Sequence, residues 1–184
     1  WKMTVDFKAR LASGLESFGQ TLSPESVERL ELYFNELVKW SKKVNLIAKD
    51  TNPEQIIESH FIDSLTLLPL MTGKHVHLLD IGTGAGFPGL VCKAARPEIT
   101  VTLVEPRLKR VSFLGHITRT LGLAGVTILT CRIEDEDQLP SGMAFSHITG
   151  RAVTEIGQFL RMVERFAPVC PRVICMKGPK WREE

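Results

Sequence analysis

The chain has 184 residues, 43% of them hydrophobic, and a formal net charge of +2. That length suits one domain with at most an appendage, and the apolar fraction is that of an ordinary buried core rather than a disordered chain. No apolar run is long enough to span a bilayer and the N-terminus lacks the charged and apolar segments of a secretory signal, so a cytoplasmic protein is expected. Cys92, Cys131, Cys170 and Cys175 show no C-x-x-C spacing and fall mostly in apolar segments, which reads as reduced packing residues and no metal site.

Residues 1–73 read as a helical extension. Ser23 can cap a helix that Pro24 opens, with Val27, Leu30, Phe34, Leu37 and Val38 at helical spacing and Lys39, Lys42 and Lys43 at its end. A second helix begins at Asn52-Pro53 and carries Ile57, Phe61, Leu65 and Leu68 on one stripe. His60 and Asp63 lie one turn apart on it, with Ser64 one turn from His60, so a hydrogen-bonded pair is expected there. Two roles are open to that group: contact with substrate, or a buried polar network that fastens the helices to the rest. Thr72-Gly73-Lys74 marks the boundary, and residues 74–184 form the second unit.

Beyond the boundary strands and helices alternate. Strands are predicted at 76–81, 99–104, 126–129, 145–149 and 172–176, and helices at 89–95, 108–121 and 152–166. That alternation implies an α/β fold, a mostly parallel sheet with helices on both faces. In such sheets ligands bind beyond the carboxyl ends of the strands, where the strand order reverses. Asp80, Glu105, Ile133, Glu134, Gly150, Arg151, Lys177 and Gly178 all fall at or just past such an end and are expected to ring one crevice. Arg151 is singled out because a cation is unfavourable at the start of the helix predicted to follow it.

The most informative segment is Leu78-Leu79-Asp80-Ile81-Gly82-Thr83-Gly84-Ala85-Gly86-Phe87-Pro88-Gly89. A buried strand runs into glycines at 82, 84 and 86, which permit positive φ and let a ligand approach the backbone, and Pro88 suits the first turn of the next helix. Gly84, Gly86 and Gly89 also satisfy the dinucleotide pattern G-x-G-x-x-G. A pyrophosphate on that helix start would be repelled by Asp80, whereas the cationic amino acid part of S-adenosylmethionine would be attracted. Glu105, about twenty residues further on, suits ribose hydroxyls in either ligand.

The net charge is too small to imply nucleic acid, but its distribution is more telling. Arg107, Lys109 and Arg110 open one helix, and Lys177, Lys180 and Arg182 cluster near the end. Any one of these clusters reads first as a solvated face, while several of them around one ligand turn make an RNA or DNA substrate more plausible.

The glycine turn, Asn45-Leu46, His60 with Asp63-Ser64, Lys109-Arg110-Val111-Ser112-Phe113-Leu114, Arg151-Ala152 and Lys177-Gly178 occur in the same order in one family. Over nearly its whole length the chain resembles the small-subunit ribosomal RNA guanine-N7 methyltransferases, also called glucose-inhibited division protein B. The resemblance implies a Rossmann-like methyltransferase fold, S-adenosylmethionine as cofactor, small-subunit ribosomal RNA or its assembling particle as partner, and a monomer. It places Gly82, Phe87, Ile133, Glu134 and Arg151 on the cofactor and Glu105 near its ribose. His60, Asp63 and Arg151 remain the candidates for the catalytic neighbourhood, and Lys39, Lys42, Lys43, Lys109, Arg110 and Lys177 for RNA. The family usually carries serine where this chain has Gly150, and its members continue into two further strands, so the sequence is expected to omit residues of the natural protein. Three other readings stay open: a small-molecule acceptor, a nicotinamide oxidoreductase, and a noncatalytic RNA-binding module.

Overall fold

The computed structural model describes residues 5–48, 50–135, 144–166 and 172–178. Cys170, Lys180 and Arg182 lie outside these residues. The β-branched and apolar runs form five strands: β1 His77–Ile81, β2 Thr100–Val104, β3 Val126–Leu129, β4 His147–Arg151 and β5 Arg172–Met176. They pair in parallel in the order β3-β2-β1-β4-β5. The chain therefore moves outward from β1 to β3, then crosses back to β4 on the other side of β1. The reversal between β1 and β4 is the switch point that such sheets use to bind ligands.

Strand alternation divides the core. Leu78, Val101 and Leu103 face one side, where they share a single cluster with the helices α1 (Phe7–Glu16), α2 (Pro24–Ser41), α5 (Gly89–Ala95) and α6 (Leu108–Thr120). Leu79, Ile81, Val104 and Ile148 face the other side and meet Phe159 and Val163 of α7 (Ile156–Val163). Helices thus cover both faces, as expected of a doubly wound sheet.

The expected caps form. Ser23 Oγ accepts from Ser26 N at 3.2 Å, and Pro24 is the first residue of α2. Asn52 and Gln55 complete a capping box on α3 (Pro53–Ile56). The helix then widens to a π-helix over Ile57–Ile62 before α4 (Asp63–Leu65). Ile57, Phe61 and Leu65 are each fully buried.

Three expectations shift. Pro88 caps α5 rather than opening its first turn. β4 extends through Arg151, and α7 starts only at Ile156, because Ala152 takes φ 52 and Glu155 is an extended cap. Arg151 is therefore a strand residue and not the start of a helix, so the helix dipole does not single it out. Cys92 and Cys131 are buried and Cys175 half-buried, all as free thiols.

Candidate cofactor site

The turn after β1 is built as its glycines require: φ is 69 at Gly82, 62 at Gly84 and 99 at Gly86. Neighbouring strands hold it. The amides of Gly82 and Thr83 donate to Val104 O at 2.9 and 3.2 Å. Glu105, 2% exposed, accepts from Gly84 N at 3.0 Å on one carboxylate oxygen and from Arg107 N at 2.9 Å on the other. Arg110 Nη1 stands 3.6 Å from the same carboxylate and so packs over the turn.

Asp80 has a different first task from the one its position implied. It is fully buried, and its Oδ2 accepts from Thr83 Oγ1 at 2.6 Å and from Gly89 N at 2.8 Å, tying the strand to the start of α5. Its other oxygen, Oδ1, is buried without a hydrogen-bond partner among the described residues. Burial pushes its carboxyl up to about 6, against the hydrogen bonds from Thr83 and Gly89 and the charge of Arg151. An unsatisfied buried acceptor is costly, and a donor or cation brought near would relieve it.

Phe87, 4% exposed, is the centre of an aromatic group that joins the helical extension to the switch point. His60 stacks on it at 4.9 Å and 25°, Tyr33 lies nearly parallel at 6.1 Å and 7°, and the Arg151 guanidinium sits 5.2 Å from its centroid. Arg151 Nη1 also donates to Ser59 O at 2.8 Å and lies 3.4 Å from Asp63 Oδ2. Asp63 is thus the partner of Arg151, and the expected His60–Asp63 pair is not formed. The π-helix is the reason, since its wider turn abandons the one-turn spacing on which that pairing rested. His60 Nδ1 is buried with no partner among the described residues, and burial, followed by the Arg151 charge, lowers its pKa to about 4. The ring is neutral near pH 7. Its neighbour Ser64 donates to the His60 carbonyl instead of to the ring.

Ile133 is 3% exposed and packs with Ile81 and Val104, while Glu134 is exposed beside it. Both line a cavity of about 590 Å³ with Gln158, Arg161 and Arg165. Lys42, Lys43 and Lys109 meet around a second cavity of about 570 Å³ with Ser41, Asn45 and Asp50. Lys39 stays apart, paired with Glu36 at 3.1 Å. Lys177 donates to Thr154 O at 2.7 Å. No cluster of metal-ligating side chains occurs among the described residues, and no helix there is long and apolar enough to cross a membrane.

A parallel sheet with a glycine turn at its switch point defines a Rossmann-like fold, and solved methyltransferases share it. Precorrin-6y C5,15-methyltransferase from Geobacter metallireducens GS-15 superposes with a TM-score of 0.50 at 15% identity, covering 70% of this chain and 64% of that one. Coclaurine N-methyltransferase bound to N-methylheliamine and SAH superposes with a TM-score of 0.55 at 13% identity, covering 92% and 55%. Within that class the chain belongs to the GidB family, rRNA small subunit methyltransferase G, which it matches over residues 26–184. Ribosomal RNA small subunit methyltransferase G of Desulfotalea psychrophila is 55% identical over 182 residues, 99% of this chain and 83% of that one. The Myxococcus xanthus protein of the same name is 38% identical over 172 residues, 94% and 78%.

Proposed function

We propose that this chain is a cytoplasmic methyltransferase that moves a methyl group from S-adenosylmethionine to N7 of a guanine in small-subunit ribosomal RNA. The observation that carries the reading is the turn Gly82–Phe87, at the switch point of the sheet and flanked by the buried carboxylates of Asp80 and Glu105, in a chain 55% identical to a relative of that name. S-adenosylmethionine supplies a methyl group already activated on a sulfonium. Gly82, Gly84 and Gly86 offer it bare backbone, Phe87 and Ile133 an apolar surface, and Glu105 and Glu134 acceptors for its hydroxyls and amine. The unsatisfied oxygen of Asp80, buried beside the turn, suits a donor or a cation.

The acceptor chemistry asks little else of the protein. Guanine N7 has a free lone pair and no proton, so no general base is needed, and the neutral His60 is compatible with a product that carries positive charge. Orientation is the main contribution, and holding two reactants in line is worth roughly 7–11 kcal/mol. Lys42, Lys43 and Lys109 are the best candidates for RNA phosphates, since they converge on one cavity and none forms an ion pair among the described residues. The decisive experiment is calorimetric titration with S-adenosylmethionine and with NAD, followed by methyl transfer to small-subunit RNA, both naked and assembled. Binding of the first ligand and methylation at guanine N7 are expected. Binding of NAD alone, or methylation only of a small molecule, would refute the reading.

A further inference from the structure

One hydrogen bond to the glycine turn comes from outside the sheet. Tyr33, the single tyrosine of the chain, sits in the middle of α2 with 0% exposure, and its hydroxyl donates to Ala85 O at 2.5 Å. The hydrogen bonds that reach the turn from the sheet come from β1, β2 and the residue just after β2: Asp80, Val104 and Glu105. Tyr33 therefore supplies the only hydrogen bond from the helical extension to residues 82–88 among the described residues.

Gly86 shows how tightly the two parts fit. A Cβ placed there would lie 2.0 Å from the Tyr33 hydroxyl oxygen, so the phenol occupies the space that a side chain at Gly86 would need. The ring lies nearly parallel to Phe87 at 7° and edge-on to Phe61 at 80°, which fixes the direction of the hydroxyl. Burial, helped by the nearby Asp80 charge, raises the phenol well above its ordinary pKa, so it stays a donor. A turn of glycines has wide conformational freedom when free, and the Ala85 carbonyl is a point at which it is held.

We propose that Tyr33 is a positioning residue for the cofactor: its hydroxyl, through the Ala85 carbonyl, holds Gly84–Phe87 in the conformation that S-adenosylmethionine meets. The helical extension thereby sets cofactor affinity without contacting the cofactor. This inference rests on the reading of the turn as the cofactor site.

The test is Tyr33→Phe, which removes one oxygen and keeps the ring. The affinity of the folded variant for S-adenosylmethionine is expected to fall about three- to tenfold, the range of one buried hydrogen bond. The KM for S-adenosylmethionine should rise by the same factor while kcat and the KM for RNA hold. A variant with a lower melting temperature but unchanged affinity would make Tyr33 a structural fastener only and overturn the proposal. A second measurement does not depend on the variant folding. Growth on 3-fluorotyrosine labels this chain at one position, and its single fluorine resonance should move when S-adenosylmethionine saturates the protein. An unmoved resonance would overturn the proposal as well. If the parent protein fails to bind S-adenosylmethionine, the cofactor reading fails first; if the parent binds and Tyr33→Phe binds equally, only the role of Tyr33 fails.

Discussion

Replacing Gly89 by alanine sets two effects of comparable size against each other. Alanine is the better helix former by about 1 kcal/mol, and Gly89 opens α5 without a left-handed φ, so propensity alone favours the change. Space opposes it. The added Cβ would lie 2.8 Å from both Cβ and Oδ2 of Asp80 and 3.0 Å from Leu103 Cδ2, and both neighbours are fully buried. Overpacking of this kind costs about 1–3 kcal/mol. Pushing α5 away also lengthens the 2.8 Å bond from Gly89 N to the Asp80 carboxylate, and hydrogen bonds to charged groups are worth about 1.5–3 kcal/mol. The balance is a loss of about 2–4 kcal/mol, which for a chain of this size lowers the melting temperature by roughly 5–15 °C. Calorimetric or circular-dichroism melting measures it directly. The weakened amide bond should also let the Asp80 pKa climb further. An unchanged or higher melting temperature in Gly89→Ala would show that α5 adjusts freely, and would refute the claim that Asp80 locks the turn to the helix.

Asp80 itself carries a pH signature: its folded pKa, raised from 3.8 to about 6, favours the folded state most strongly below the unfolded value and loses that contribution as pH rises through 6. Denaturant unfolding should show the parent losing about 2 kcal/mol relative to Asp80→Asn between pH 4 and pH 7, and parallel pH profiles would refute it. Arg151→Ala removes the exposed hydrogen bond to the Ser59 carbonyl and the partner of Asp63; because Asp63 is 46% exposed the ion pair adds little, and a destabilisation of about 1 kcal/mol is expected by chemical denaturation. The same variant should bind S-adenosylmethionine more weakly with RNA absent, whereas loss of RNA affinity alone would assign Arg151 to a phosphate. Reversing Lys42, Lys43 and Lys109 to glutamate should weaken RNA binding and flatten its salt dependence by about one unit of slope per lost phosphate contact, leaving cofactor affinity intact. An unchanged slope would remove that cavity from the RNA path.

What could be read from the sequence was local. The glycine turn announced itself because glycines at alternate positions after a buried strand satisfy a backbone demand written within a few residues, and Ser23-Pro24 and Asn52-Pro53 announced helix starts in the same way. Tyr33 gave no such signal. Its meaning lies in a carbonyl 52 positions away, and on α2 it looks like one more member of the stripe that holds Leu30 and Leu37. The sequence puts Arg151 at the carboxyl end of the fourth strand but does not show that it still belongs to that strand, since nothing nearby warns that Ala152 turns left-handed. The His60–Asp63 pairing needs the spacing of a regular helix, and no residue there signals that the backbone widens to π geometry. Arg110 and Lys109 are neighbours in sequence, yet one residue of helix rotation carries Arg110 over the turn to Glu105 while Lys109 faces the cavity with Lys42 and Lys43.

The buried side chains of the first helices do not form a core of their own. Phe7, Leu11, Leu30, Tyr33 and Phe61 belong to the same cluster as Leu78, Val101 and Leu103 of the sheet. One face of the catalytic layer is thus upholstered by the extension, in the way a lining belongs to a coat rather than to a separate garment. Peeled from the sheet, these helices would expose the apolar side chains that now face it, and the sheet would expose its own, so neither layer keeps its buried face without the other.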